Sequence, residues 1–380
     1  MNFSTISRTS FAAVASAVLF NAASVGAQDW TDRVSLHGSL NTSYGKSDGL
    51  GVFGVNKDGT SDYRAMTLLV GYKLDNNDRV VIQLLNRGLG DAPQKSIEPE
   101  IQPIWAFYEK KAAGYTVKLG RNPLPRGIFN EVRFVGTLLP FFRESFYGET
   151  LENIDGVVVS RSFDLGHDWG LDAHVMGGAF SVKYTLPSPT GTTVASLRAI
   201  NSAASQLWLR TPIEGLRVGT FWNRFQMAGA IGDTSESTTK ARMVSVDGDF
   251  SRFVARAEWQ NFYAGKGHSE TAFRSWYAQG GVKFTEKVAV FGEYNTARNL
   301  IHFPSSIPDL DLNLSNDFAG AVNYAPSANV KFKVELHQAD GYSFDTSVPT
   351  IIPPSAPPFV MKAAPRSKAN YGIASVAVSF

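Results

Sequence analysis

The sequence predicts an all-β fold, an antiparallel up-and-down transmembrane β-barrel of about 16 strands. Three observations lead to this prediction. Polarity alternates from residue to residue in many segments, short and long connections follow each other in turn, and the last segment ends on a terminal phenylalanine. Successive residues of a strand point to opposite faces of a sheet. Each such segment therefore has one apolar and one polar face, as the wall of a membrane barrel requires.

Residues 1–27 are expected to be a secretory signal peptide rather than part of the fold. Arg8 supplies a positive charge, Phe11 to Phe20 forms a short apolar run, and Val25 and Ala27 place small residues before the expected cleavage site. The apolar run is too short to span a bilayer as a helix. A buried N-terminal helix is the alternative. We therefore expect the barrel to occupy residues 28–380.

Composition excludes several classes of protein. The chain has 36 Lys and Arg residues and 34 Asp and Glu residues, and removal of Arg8 with the signal leaves 35 basic groups. This balance gives no support to a nucleic-acid partner. The chain has no cysteine, so neither a disulfide nor a thiolate metal site can form. After the signal, no stretch approaches ~18 consecutive apolar residues, which excludes a helical membrane protein. We expect no metal and no cofactor.

Sixteen segments carry the alternating pattern, and many have about the ten residues that a tilted strand needs to cross a bilayer. The pattern is clearest in residues 330–337, where four apolar and four polar side chains occupy opposite parities. The predicted strands are 34–44, 63–74, 79–87, 103–110, 115–121, 153–163, 169–180, 205–212, 216–225, 240–250, 253–263, 272–283, 288–297, 314–325, 329–339 and 369–380.

Connection lengths favour a membrane barrel over a soluble sandwich. Short links such as 75–78 and 213–215 alternate with long ones such as 122–152, 181–204 and 340–368. This order puts all tight turns at one end of an up-and-down barrel and all long loops at the other, which is the asymmetry of outer-membrane barrels. Because an open sheet edge cannot satisfy its backbone hydrogen bonds in lipid, the last strand must pair with the first.

The strand ends and the end of the chain carry further membrane signals. Tyrosine and tryptophan cluster near segment ends, where they would contact outer-membrane lipid in two girdles. In the last segment, Ala374, Val376, Val378 and Phe380 share one face. A final strand that stops on an aromatic residue resembles the C-terminal assembly signal of bacterial outer-membrane proteins. We therefore expect Phe380 to engage a barrel-assembly machinery.

The loop at 122–152 is unusually rich in apolar and aromatic residues. Pro123 and Pro125 stiffen its beginning. An apolar loop of this length needs a surface to pack on, and the inner wall of a barrel offers one. We therefore expect the loop to fold into the lumen and to constrict it.

These features make the chain resemble the trimeric porins of Gram-negative bacteria. The stretches 104–109, 119–133 and 140–143 are also similar to DcaP-like and phosphate-selective porins. The first resemblance covers the whole mature chain, whereas the second rests on about 40 residues. The resemblance implies an outer-membrane channel for small hydrophilic solutes that assembles as a homotrimer.

Side-chain parity predicts which charges face the lumen. On the wall we place Lys118, Arg210, Arg217, Arg256, Lys331, Lys333 and Glu335. At the constriction we expect solute contacts from Arg121, Arg126, Glu131, Arg133, Arg143 and Glu144. Because a guanidinium binds a carboxylate in a bidentate fork, Arg126, Arg133 and Arg143 of the loop and the adjacent Arg121 would favour anions such as carboxylates. The alternative is that these arginines pair with neighbouring glutamates and only anchor the loop.

Other functions also fit a barrel. An outer-membrane enzyme of the phospholipase or protease type would need a nucleophile–base set, and none is evident in the sequence. A structural or adhesion barrel would place its function in the long loops, but sixteen strands leave an aqueous channel unless it is plugged. A soluble β protein is the remaining alternative.

Overall fold

The computed structural model describes residues 33–92, 101–142, 145–147, 151–188, 191–228, 237–266, 269–302, 309–341 and 367–380. These residues form a closed antiparallel barrel of 16 strands, in which each strand pairs with its neighbours along the chain. The predicted fold class is therefore confirmed. The predicted signal peptide, residues 1–27, lies outside the described residues.

Each of the sixteen predicted segments overlaps one strand. The strands are β1 Val34–Ser47, β2 Thr60–Lys73, β3 Asp78–Leu89, β4 Gln102–Ala112, β5 Tyr115–Pro123, β6 Asn153–Gly166, β7 Trp169–Ser188, β8 Gly191–Arg210, β9 Leu216–Ala228, β10 Ser237–Asp249, β11 Phe253–Lys266, β12 Ser269–Lys283, β13 Val288–His302, β14 Leu310–Ser327, β15 Val330–Gly341 and β16 Ser367–Ser379. Among the described residues, no helix has the length and hydropathy needed to cross a membrane.

One predicted long loop is wrong. Residues 181–188 continue β7 and residues 191–204 belong to β8, with backbone pairing that runs to Ser188 opposite Gly191. The pattern could not show this, because a strand beyond the bilayer need not be apolar on one face. The end that carries the long hairpins is called the loop side below, and the opposite end, with the short connections, is called the turn side.

The two faces of the wall follow the alternation of the sequence. On β15, Val334 and Leu336 are 58% and 70% exposed, whereas Lys333 and Glu335 are buried. The apolar set is therefore outside and the charged set inside. In a soluble sandwich the opposite would hold, with the apolar set buried against a second sheet.

The barrel closes between β1 and β16, as predicted, with pairs from Ser39–Ser379 to Ser47–Tyr371. Two backbone hydrogen bonds between Gly38 and Phe380, each 3.0 Å long, extend the pairing to the last residue. The ring of Phe380 lies over Gly38, where an added Cβ would come within 2.2 Å of the ring. Glycine at this position therefore allows the terminal aromatic side chain to cover the seam.

The largest apolar cluster lies inside the barrel, between its wall and the segment that joins β5 to β6. We call this segment, residues 124–152, the inner loop. Its contribution to the cluster includes Leu124, Phe129, Leu139, Phe146 and Tyr147. The wall contributes Met176, Phe180, Phe221, Phe225, Met243 and Tyr277. Burial of these side chains supplies a hydrophobic driving force that holds the loop against the wall.

Candidate functional site

The first part of the inner loop is fixed to the wall at Glu258 of β11, which is 2% exposed. Its carboxylate accepts hydrogen bonds from Ser245 Oγ at 2.6 Å, the Ile128 backbone N–H at 3.0 Å and the Tyr277 hydroxyl at 2.9 Å. The Tyr147 hydroxyl also donates to it. Burial and the neighbouring Glu258 raise the pKa of the Tyr147 phenol, so this hydroxyl keeps its proton and remains a donor. Protein donors thus replace the water that the carboxylate loses.

Arg126 is buried beside this anchor and is 2% exposed. Its Nη2 donates to Gln260 Oε1 at 2.6 Å, and its guanidinium lies 5.2 Å and 5.6 Å from the ring centroids of Tyr147 and Phe262. Burial lowers the pKa of Arg126 to about 10, which leaves the group cationic at neutral pH. An enclosed side chain cannot contact a solute in the lumen. The solute-contacting role expected for Arg126 is therefore corrected to one in loop anchoring.

Arg133 is also engaged within the protein. Its Nη2 lies 3.6 Å from Glu152 Oε1, and Arg87 of β3 reaches the same oxygen at 2.9 Å. Both guanidinium groups lie over the ring of Phe134, at 5.3 Å and 5.5 Å from its centroid. This arrangement matches the alternative stated above, in which a loop arginine pairs with a glutamate and anchors the loop.

The far part of the loop is held by a pair of charges on β15, which we call the β15 clamp. Lys333 Nζ donates to the Phe141 carbonyl oxygen at 2.7 Å, and the Phe142 N–H donates to Glu335 Oε1 at 2.6 Å. Lys333 and Glu335 are each 1% exposed. Both residues lie on the inner face, but they bind the loop backbone instead of facing open solvent.

A histidine lies next to the clamp. His337 Nε2 is 3.3 Å from Glu335 Oε2, and its Nδ1 is 3.1 Å from Asp317 Oδ2. The imidazole stacks on Tyr371 with ring centroids 4.4 Å apart. The described residues contain no group of three or more His, Cys, Asp or Glu side chains suited to a metal ion. We therefore interpret His337 as part of the packed wall.

Three predicted wall arginines lie on the inner face and have acidic partners. Arg210 Nε lies 3.1 Å from Asp172, and Arg217 and Arg256 each lie 2.8 Å from an oxygen of Asp247. Arg210 and Arg217 nevertheless remain 52% and 40% exposed, whereas Arg256 is 12% exposed. The first two therefore present charge to the lumen while paired.

The remaining predicted residues differ in their surroundings. Lys118 lies on the inner face of β5, with its Nζ 5.3 Å from the Phe107 ring centroid. Glu131 is an exposed residue of the inner loop, and Lys331 lines a cavity at the turn side. Arg143 and Glu144 lie outside the described residues.

Arg121 requires a correction, because it lies on the outer face and not at the constriction. In the sheet register Arg121 lies opposite Ala106 of β4 and Asp155 of β6. It has the same parity as Leu119, which is 46% exposed. Its Nε and Nη2 donate to the two Asp155 carboxylate oxygens at 2.7 Å and 3.0 Å. The parity of Leu119 was the available sequence signal for this orientation.

Neutral side chains of the wall also hold the inner loop, and the sequence did not predict them. Gln206 accepts from the Gly127 N–H at 2.9 Å, and Asn323 donates to the Pro140 carbonyl oxygen at 3.0 Å. These amides occupy inward positions within strands, where a long polar side chain needs a buried partner. That position was the only sequence signal for their role.

Together these features define a class of structure, a closed 16-strand barrel of the outer-membrane type whose inner loop lies against the lumen wall. No family model matches the chain, and no curated protein matches it by sequence.

Solved structures of outer-membrane barrels are similar to this fold. The DcaP outer membrane channel of Acinetobacter baumannii has a TM-score of 0.59 at 11% identity, covering 91% of this chain and 97% of that chain. The anion-selective porin from Comamonas acidovorans has a TM-score of 0.57 at 11% identity, covering 91% of this chain and 99% of that chain. OmpT of Vibrio cholerae, an outer membrane protein in a trimer form, has a TM-score of 0.54 at 13% identity, with coverage of 91% and 99%. The likeness shows that this chain has the fold of Gram-negative outer-membrane porins.

Proposed function

We propose that the chain is an outer-membrane channel for passive diffusion of small hydrophilic solutes and that it favours anions such as carboxylates. The observation that carries this proposal is a closed barrel with an apolar outer face and exposed arginines on its inner face. Arg79, Arg210 and Arg217 are 46%, 52% and 40% exposed. A low-dielectric wall strengthens the field that such charges exert on a passing ion. The similar folds of the anion-selective Comamonas porin and of the DcaP channel support the same function.

We assign the anion preference to the wall and not to the inner loop. Arg126 and Arg133 are held by the protein, so their charges contribute less to the solute path than exposed wall arginines do. The inner loop narrows the lumen in this proposal, and it carries the exposed Glu131. We also propose that the chain belongs to a DcaP-like or phosphate-selective subgroup. The similar fold of the DcaP channel supports this assignment.

In a planar bilayer under a salt gradient, we expect discrete conductance steps and a reversal potential that favours anions. Replacing Arg210 and Arg217 with glutamine leaves Asp172 and Asp247 in the lumen, so we expect the anion preference to fall or reverse. Arg242→Gln, which removes an exposed charge from the outer parity of β10, is the matched control and should leave the reversal potential unchanged.

Each other outcome of that experiment has a definite meaning. If the native chain gives conductance steps that favour cations, the proposed channel function stands and the proposed anion preference is rejected. An unchanged reversal potential in the double variant would reject the role of Arg210 and Arg217. No conductance from folded protein would favour a plugged barrel or an outer-membrane enzyme.

We also propose that the channel is a homotrimer in which the outer face at Arg121 and Asp155 contacts another protomer. An ion pair on a lipid-facing surface is costly, whereas a protein interface can satisfy it. The OmpT structure in its trimer form supports a trimer for this fold.

Replacing both Arg121 and Asp155 with leucine tests the proposed contact. We expect the oligomer to dissociate at a lower temperature in a detergent gel, with a loss of about 2 kcal/mol or more from the contact. The Arg210→Leu variant, which changes the inner face, should leave dissociation unchanged. Equal or higher oligomer stability in the double variant would mean that this face contacts lipid.

We propose that Phe380 is the signal for the barrel-assembly machinery. Because its ring is 57% exposed on the outer face at the seam, it is accessible to another protein before closure. We expect Phe380→Ser to reduce the folded barrel in the outer membrane severalfold, while refolding of the purified chain in detergent is retained. Equal loss in cells and in detergent would instead indicate a structural role at the seam.

A further inference from the structure

A cavity of about 600 Å³ opens at the turn side of the lumen. Leu138 and Pro140 of the inner loop form one boundary of the cavity, and the opposite boundary consists of residues at the turn ends of β10 to β15. Arg210 and Arg217, to which we assign the anion preference of the channel, do not line it. The cavity adjoins the position of Arg217, because Arg256, which lines the cavity, pairs with the same Asp247 carboxylate.

The charge of the cavity lining is strongly unequal, with five basic and two acidic side chains. Asp249 forms ion pairs with Lys283 and, at 3.1 Å, with Arg256. The other basic residues of the lining have no side-chain hydrogen bond or ion pair to any described residue; they are Arg252, Lys287 and Lys331. Cations that share a concave surface without enough acidic partners attract an anion.

The lining also has an apolar part. Leu138 is 56% exposed although the loop that carries it lies inside the barrel, and it borders the cavity together with Val254 and Phe291. Small-molecule sites typically combine apolar walls with a few polar groups that fix orientation. The apolar residues and the free cations therefore suit a ligand that has an apolar body and an anionic end.

We propose that this cavity binds small organic anions in which a carboxylate is joined to an apolar or aromatic group. Lys331, Arg252 and Lys287 contact the carboxylate, and Leu138 contacts the apolar group. The proposal rests on the proposed channel function in that the ligand reaches the cavity through the lumen. Binding is weak enough for the ligand to leave, as conduction requires.

The test uses the complete mature barrel folded in detergent, with benzoate as the probe in titration calorimetry. Benzamide is the neutral counterpart of benzoate, and acetate is the short anion without an apolar body. We expect benzoate to bind and both comparison compounds to bind about tenfold more weakly or not at all. Heat-modifiable migration in a gel verifies that every variant is folded.

Two variants separate the charged and apolar contributions. We expect Lys331→Gln to weaken benzoate binding about fivefold, as for the loss of one partly screened charge contact. Leu138→Ser should weaken it by a similar factor, about fivefold, through lost apolar contact. Lys111→Gln is the matched control, because Lys111 is an exposed basic residue at the turn end of β4 that does not line the cavity.

Equal affinity for benzamide and benzoate would overturn the proposal, as would unchanged binding in both Lys331→Gln and Leu138→Ser. An equal loss of benzoate affinity in Lys111→Gln would also overturn the proposal. It would mean that benzoate responds to the general positive charge of the turn side and not to this cavity. Conductance of the same samples distinguishes the two proposals. Binding that depends on Lys331 without conductance would reject the channel and keep the site, whereas conductance without such binding would reject the site alone.

Discussion

Replacement of Glu258 by leucine is expected to destabilise the barrel strongly, because it releases the first part of the inner loop. Leucine would leave the Tyr147 and Tyr277 hydroxyls, Ser245 Oγ and the Ile128 N–H without their buried acceptor. One unsatisfied buried group costs about 1–3 kcal/mol. Because the released loop can rotate some donors toward water, we expect a total loss of roughly 3–5 kcal/mol.

The loss should be visible in stability and in conductance. We expect the folded band in a detergent gel to convert at a lower temperature, because a released loop lowers the barrier to unfolding. We also expect larger or noisier single-channel steps, since the first part of the loop is no longer fixed to β11. Glu258→Gln keeps one acceptor oxygen and should lie between the native chain and Glu258→Leu.

Glu214 provides the control for the Glu258 experiment. It is an exposed residue of the turn between β8 and β9, so Glu214→Leu changes the same side chain without touching the loop. We expect no shift of the conversion temperature in that variant. A native conversion temperature in Glu258→Leu would show that the apolar cluster alone holds the loop.

The strands could be predicted because a bilayer imposes its constraint on every one of them. Lipid outside and polar contents inside enforce a period of two, and this period located all sixteen strands and the closing pair. The constraint ends where the bilayer ends. For this reason the pattern predicts a loop at 181–204, where β7 and β8 extend beyond the alternating segments.

The candidate site was less predictable because parity gives the face of a residue but not its partner. Parity predicts an inward orientation for Lys333 and Glu335, yet it could not show that the loop backbone at Phe141 and Phe142 binds them. Burial of Arg126 depends on contacts with Gln260, which is 134 positions away in the chain. The outward orientation of Arg121 was predictable, because Arg121 has the same parity in β5 as the apolar Leu119.

The β15 clamp gives the second large expected effect. Lys333→Met leaves the Phe141 carbonyl oxygen without its donor and removes a positive charge near Glu335. Glu335→Leu leaves the Phe142 N–H without its acceptor and removes a negative charge near Lys333. Each variant leaves a buried backbone group without its partner and removes one of two neighbouring buried charges, which we expect to cost about 3–5 kcal/mol. We expect each single variant to lower the conversion temperature strongly.

The double variant tests whether the two charges act as one unit. Replacing both removes both buried charges together, so we expect its cost to be smaller than the sum of the single costs by about 1–3 kcal/mol. The pair Arg298 and Asp311 is the control, because its side chains are 55% and 56% exposed and it joins β13 to β14. Its coupling should be about 1 kcal/mol or less.

Additive costs at Lys333 and Glu335 would contradict this interpretation of the clamp. They would mean that each residue holds its own peptide group and is indifferent to the other charge. Strong coupling would instead explain why a barrel keeps two charges with 1% exposure on its inner wall. One backbone segment of the inner loop needs both a donor and an acceptor, and a pair of opposite charges provides them without adding a net buried charge.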